Sequence, residues 1–225
     1  MRGAPSTHRP TLFVANHVSY TDIMVLGALI EGSFVAKAEV ARWPLFGRLA
    51  KLQRSVFVDR RMRSTKDQRG SMADRLHRGD NLILFPEGTS SDGLRVLPFK
   101  SALFSAADLG GNRAVLVQPV SVAYTKLDGM PITRHQRPFF AWYGDMDLAS
   151  HMWHLFGLGT VSVVVQFHAP LDPAEFPSRK ALAEHCRRVI ATAVSAALSG
   201  RLPEATAAGP AAPEIAGPAG AIATR

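Results

Sequence analysis

With one cysteine in 225 residues, Cys186, the chain can form no internal disulfide, and nothing in it calls for an oxidising compartment. Cys186 lies in a basic, Ala-rich, helix-like stretch, where a buried thiol is a simpler reading than a nucleophile. Acidic residues are scarce: 18 Asp and Glu face 26 Lys and Arg, for a formal charge of +8. That balance excludes an acidic, solvating chain and favours a polyanionic partner, either nucleic acid or an anionic membrane surface. No window reaches the ~18 uninterrupted apolar residues of a spanning helix, and Met1 to Pro10 lack the apolar core of a signal peptide. Membrane contact, where it occurs, is therefore expected to be interfacial. Internal repeats and collagen-like bias are absent, and an apolar fraction of 47% describes a globular chain.

The positive charge is concentrated. Between Arg42 and Arg78 stand Arg48, Lys51, Arg54, Arg60, Arg61, Arg63, Lys66, Arg69 and Arg75, against Asp59, Asp67 and Asp74. Most of these are expected on a solvated face, but the local surplus marks where an anion would dock.

Short buried strands alternate with helices. Thr11 to Ala15, Phe34 to Ala36, Ser55 to Val58 and Asn81 to Phe85 read as strands. So do Ala114 to Tyr124 (interrupted by Pro119), Phe139 to Tyr143 and Thr160 to Phe167. Ser19 to Ile30 (with Ser19 as N-cap), Thr65 to Arg78, Ser101 to Leu109 and Pro177 to Ser199 read as helices. Val40 to Leu52, with Pro44 and Gly47, reads as a broken or short one. The expected fold is α/β, a mixed and largely parallel sheet flanked by helices. One domain is expected over residues 1–200, followed by a disordered Ala/Pro/Gly-rich tail over 201–225.

Four segments could carry chemistry. Asn16-His17-Val18-Ser19-Tyr20-Thr21-Asp22 falls where a strand turns into a helix. An imidazole there can take a proton from a hydroxyl near neutral pH, and a carboxylate on its other nitrogen fixes the tautomer. The two side chains meet only if His17 sits in the turn and Asp22 in the first helical turns. The plainer reading is a capping box, Ser19-x-x-Asp22, beside a core histidine. Phe85-Pro86-Glu87-Gly88-Thr89 gathers a carboxylate, a glycine and a hydroxyl at a strand's carboxyl end, where open α/β sheets bind ligands; it could equally be a Pro/Gly turn. Phe57-Val58-Asp59-Arg60 could hold an anion bidentately or make a surface ion pair. Lys37 could face an oxyanion or simply snorkel.

Together, in this order, the segments resemble the sequence blocks of the phospholipid and glycerol acyltransferase family. NHVSYTD is similar to its NHxxxxD block, SVFVDR to its second block, FPEGTSSDG to its FPEGT block, and Val117 to Val120 (VQPV) to its proline-containing block. The joint occurrence of NHxxxxD and FPEGT, about seventy residues apart, makes the match specific over roughly Thr11 to Val122. The resemblance implies His17 as general base and Asp22 as its orienting carboxylate. It implies Arg60 as a ligand for the acceptor's anion, Glu87, Gly88 and Thr89 as shapers of the acceptor site, and Lys37 near the oxyanion. It also implies direct attack by a lysolipid hydroxyl on the thioester of acyl carrier protein or coenzyme A, with no cofactor and no metal. The chain holds no GxSxG elbow.

The expected acceptor is 1-acylglycerol-3-phosphate, with lyso-ornithine lipid as the alternative, and the expected location is the cytoplasmic face of the inner membrane. Two departures bear on this. Ser90 stands where many members have arginine, and the sequence begins too late for the apolar segment that usually precedes the histidine block, so a truncated start or a surface-patch mode of binding is expected. Phe140 to Met146 (FAWYGDM) resembles bacterial members acting on either acceptor. Three readings rank lower. A metal site from His151, His154 and Asp145 or Asp147 lacks a third ligand at a characteristic spacing, and an amphipathic surface through Met152, Trp153, Leu155 and Phe156 is simpler. A nucleic-acid-binding module has no groove-entering element or aromatic platform, so no nucleic acid is expected as partner. A non-catalytic lipid-binding relative need keep neither His17 nor Asp22.

Overall fold

The computed structural model describes residues 1–42, 46–58, 72–107 and 115–202. Its centre is a sheet of seven strands: β1 (Thr11–Ala15), β2 (Ser33–Lys37), β3 (Val56–Val58), β4 (Leu82–Leu84), β5 (Leu116–Leu127), β6 (Met130–Pro131) and β7 (Val161–Phe167). The order is β3-β2-β4-β1-β5-β6, with β7 also on β5. The first five strands run parallel, whereas β6 and β7 pair antiparallel to β5. The mixed, largely parallel sheet expected from the sequence is thus observed.

Four helices, α1 (Thr21–Gly27), α2 (Phe46–Leu52), α3 (Leu148–Phe156) and α4 (Arg179–Leu198), accompany it, and residues 72–77 are also helical. Strand side chains alternate between faces, so β1 divides its residues between two cores. Leu12 and Val14 join Leu82, Leu84 and Val117 under α4, where Leu182, Ala183 and Cys186 complete the packing. Phe13 and Ala15 join Ile83, Val120 and Val122 beneath α1, with Leu26, Ile30 and Phe140. With both faces covered, the central strands can be apolar throughout.

Three local expectations need correction. Pro119 does not interrupt its strand. Its carbonyl accepts from His168 N (3.0 Å), so that side of the residue faces the chain just past β7, where no ladder donor is required of it. Phe139 to Tyr143 is not a strand: Pro138 opens a 3₁₀ turn over Arg137–Phe139, and the residues after it fold across the α1 face. Ser101–Ala106 is likewise 3₁₀ rather than α-helical. The broken helix expected at Val40 to Leu52 divides into a 3₁₀ turn (Ala38–Arg42) and α2. Part of the basic stretch is structural, since Arg75 bonds Asp80 and, through Nη2, Ser33 Oγ at 2.8 Å. Residues 59–71 and the expected tail from 203 onward lie outside the described residues.

Candidate active site

The carboxyl ends of β1, β4 and β2 share one edge of the sheet, and the strand-to-helix turn after β1 carries His17. Asn16 holds the turn to β5. Its Nδ2 donates to Val122 O (2.9 Å) and its Oδ1 accepts from Val122 N (2.8 Å), which continues the β1–β5 pairing one residue beyond the strand. His17 is then fixed through its own backbone. Its N–H donates to Glu87 Oε1 (2.8 Å), and its carbonyl accepts from Ser91 N (2.8 Å). The imidazole stacks on Phe85 with ring centroids 4.1 Å apart, and Phe85 stacks in turn on Phe34.

His17 Nδ1 lies 2.9 Å from Asp22 Oδ2. Asp22 is fully buried, while the His17 side chain keeps 18% of its surface exposed. A buried carboxylate needs partners, and Asp22 has them. Oδ2 also accepts from Val18 N (2.7 Å) and Ser19 N (3.0 Å), and Oδ1 accepts from the Tyr124 hydroxyl (2.7 Å). With Nδ1–H directed at the carboxylate, the lone pair of Nε2 is left for chemistry. The capping-box reading of Asp22 is half realised: the carboxylate does reach back to Ser19 N. Ser19 caps nothing in return, because its hydroxyl is buried with no partner among the described residues, and Tyr20 is the N-cap. One carboxylate therefore both closes a helix end and orients an imidazole.

Glu87 is almost wholly buried (2% exposed), and its second oxygen, Oε2, accepts from Leu97 N at 2.9 Å. Burial outweighs these two amide donors and pushes its carboxyl up to about 7, with the nearby charge of Asp22 adding to the rise. The resemblance gives Glu87 to the shaping of the acceptor site; in the structure it lies behind His17 and holds that residue's backbone. Gly88 adopts a φ of 69°, a left-handed conformation that favours glycine, and Thr89 beside it is exposed. Lys37 ends β2 on the same sheet edge, exposed, with β4 between its strand and β1. Arg60 lies outside the described residues.

The segment after β6 closes over the histidine turn. Trp142 N donates to Val18 O (3.0 Å), Ser90 Oγ donates to Trp142 O, and the Tyr20 hydroxyl meets His151 Nδ1 of α3 at 3.2 Å. His151 thus turns inward to Tyr20 while His154 is exposed, so the two do not converge. Among the described residues, no three His, Cys, Asp or Glu side chains gather as a metal site would. Two contributors escaped sequence reasoning, Tyr124 and the Ser91 amide; both act across the fold, and no local pattern announces them.

A family model described as Acyltransferase matches residues 3–123. The chain belongs to the acyltransferase family. It is 46% identical over 202 residues to a lyso-ornithine lipid O-acyltransferase of Brucella abortus (strain 2308), covering 87% of this chain and 76% of that one. It is 34% identical over 196 residues to a 1-acyl-sn-glycerol-3-phosphate acyltransferase of Neisseria gonorrhoeae, covering 86% and 73%. The crystal structure of the 1-acyl-sn-glycerophosphate acyltransferase of Thermotoga maritima superposes with a TM-score of 0.58 at 28% identity, over 89% of this chain and 70% of that one. The enzyme is an acyltransferase, and its mixed sheet with flanking helices is the fold of that relative.

Proposed function

We propose that this acyltransferase moves a fatty acyl group from the thioester of acyl carrier protein or coenzyme A to the hydroxyl of a lysolipid, with His17 as general base. The observation that carries the reading is the His17 Nδ1–Asp22 Oδ2 contact at 2.9 Å, made by a fully buried carboxylate and a partly open imidazole. In the proposed step Nε2 takes the acceptor's hydroxyl proton as its oxygen attacks the thioester carbonyl. The tetrahedral intermediate collapses, the carbon–sulfur bond breaks, and the leaving thiolate receives the proton back from the imidazolium. Asp22 stabilises that imidazolium, and Glu87 holds the His17 backbone in register. Lys37 is assigned to the oxyanion, Arg60 to an anionic group of the acceptor, and Gly88 and Thr89 to the rim of its site. No cofactor beyond the thioester is invoked.

Two acceptors merit testing. Relatives acting on lyso-ornithine lipid are the more similar by identity, 46% against 34%. Ser90 also favours that acceptor, because its hydroxyl bonds the Trp142 carbonyl where many members place an arginine suited to phosphate. The reading for 1-acylglycerol-3-phosphate rests on the four sequence blocks that resemble the family's and on the fold shared with the T. maritima enzyme. We further assign the chain to the cytoplasmic face of the inner membrane, held by an anionic bilayer surface. Among the described residues no helix is long and apolar enough to cross a membrane. Trp153 (79% exposed) and Phe156 (73%) project from α3, which is anchored to the catalytic turn through His151 and Tyr20.

The test is thioester consumption by purified protein, wild type beside His17→Ala, with a palmitoyl donor and either acceptor in detergent. Transfer that disappears in the variant supports the mechanism and names the acceptor. Near-normal turnover by His17→Ala sinks it.

A further inference from the structure

Tyr124 lies 102 residues along the chain from Asp22, on β5, outside the histidine and FPEGT blocks. Its position follows from strand geometry. Val120, Val122 and Tyr124 alternate onto the face under α1, and the β5–β7 register shifts between Tyr124 and Lys126, so Tyr124 is the last residue before a bulge. The ring is buried and stacks on Phe140, with centroids 6.2 Å apart and planes 16° apart. Its hydroxyl donates to Asp22 Oδ1 at 2.7 Å. Thr21 Oγ1 sits 2.6 Å from the same hydroxyl, and because the single phenolic proton is given to Asp22, Thr21 must be the donor in that contact.

We infer that Tyr124 is a positioning residue of the acyl-transfer reaction, acting on His17 through Asp22. The inference rests on the reading of His17 as the base. Asp22 offers two oxygens with different tasks. Oδ2 faces the imidazole and the amides of the turn, and Oδ1 faces the sheet. The tyrosine bond stops the carboxylate from rotating and draws charge towards Oδ1, which moderates the field at the imidazole. Thr21, by donating to the phenol oxygen, makes Tyr124 the better donor. Burial and the neighbouring Asp22 charge together hold the phenol well above its ordinary range, so it remains a donor at every working pH.

Among the described residues, Asp22 on α1 meets the imidazole, Glu87 after β4 holds the His17 backbone, and Tyr124 on β5 reaches the imidazole through Asp22. Tyr124→Phe keeps the ring and its stack and removes only the donor. Asp22 then bears a less shared charge and favours the imidazolium more. The experiment is full pH–rate profiles of kcat and kcat/KM for wild type, Tyr124→Phe, Thr21→Val and His17→Ala, with melting curves as the check on folding. Tyr124→Phe should lower kcat about tenfold, leave both substrates' KM within about twofold, and move the acid limb of kcat/KM upward by about half a pH unit or more. Thr21→Val should shift the same limb in the same direction by less. If one variant does not fold, the other decides.

An inactive His17→Ala beside unchanged kcat and an unmoved acid limb in Tyr124→Phe would overturn this inference alone. So would a loss of kcat without movement of the limb, which marks a merely structural residue. Turnover retained by His17→Ala would overturn the inference together with the reading beneath it.

Discussion

Glu87→Gln isolates what it costs to bury a carboxylate behind the histidine turn. Both Glu87 oxygens accept backbone amides, His17 N at 2.8 Å and Leu97 N at 2.9 Å, yet burial still raises its carboxyl from 4.5 to about 7. A folded value above the unfolded one means that the native state binds the extra proton between those two pH values. The Glu87 contribution to stability is therefore fully present below about 4.5 and is lost as pH rises through about 7. At about 1.4 kcal/mol for each pH unit, the whole window is worth about 3 kcal/mol, of which about 2.5 falls between pH 5 and 8.5. Glutamine cannot ionise. It fills the same space and accepts one amide, but it turns an NH₂ towards the other, a fixed cost of about 1–3 kcal/mol at every pH. The melting temperature of wild type should accordingly drop relative to Glu87→Gln by about 5–10 °C between pH 5 and 8.5, whatever the offset between the two curves. Parallel curves, measured by circular dichroism in matched buffers, would refute the reasoning and show that the amide bonds keep Glu87 ionised throughout.

Asp22→Asn should cut kcat by about 10³–10⁴ with acceptor KM within about twofold, since the amide cannot hold the imidazole in the working tautomer. Steady-state assays at saturating thioester would show it, and a variant that loses only KM would contradict the assignment. Trp153→Ser with Phe156→Ser should weaken flotation with anionic vesicles by about tenfold or more while leaving turnover on detergent-dispersed acceptor near wild type. Equal flotation would place the bilayer contact elsewhere. Arg60→Ala should raise KM most for the acceptor with the greater negative charge, read by comparing 1-acylglycerol-3-phosphate with lyso-ornithine lipid. Cys186, fully buried with its thiol pushed up to about 12, should resist thiol reagents at pH 8 until the protein is denatured, as a titration with and without guanidinium would reveal.

The legible parts of the sequence were those whose physics is local. Runs such as Thr11 to Ala15 and Asn81 to Phe85 are buried throughout, and a strand covered on both faces is apolar at nearly every position, so those elements stand out from the residues alone. The His17–Asp22 pair spans five residues of one turn, close enough for spacing to anticipate a contact. Errors arose where distant chain decided the outcome. Pro119 looks like a strand breaker until His168 shows which way that residue faces, and Phe139 to Tyr143 has strand composition but is needed as a cover over Val18. Glu87 was read, through the resemblance of its segment to the FPEGT block, as one of the residues that shape the acceptor site. Only the fold reveals that both its oxygens are occupied by amides from two other segments.

The same distinction separates the proposed base from its support. A base needs one residue type at one place, which a motif can specify. Keeping an imidazole in one tautomer and one orientation needs donors from wherever the sheet brings them, and here they come from β5, from the loop after β4 and from the turn itself. Asp22 shows why such support cannot be local. Its two oxygens accept four donors; those to Oδ2 come from within five residues, but an oxygen facing the sheet can be satisfied only by a strand. That requirement selects a long donor with an apolar body at the last inward position of β5 before its register shift, and tyrosine meets it.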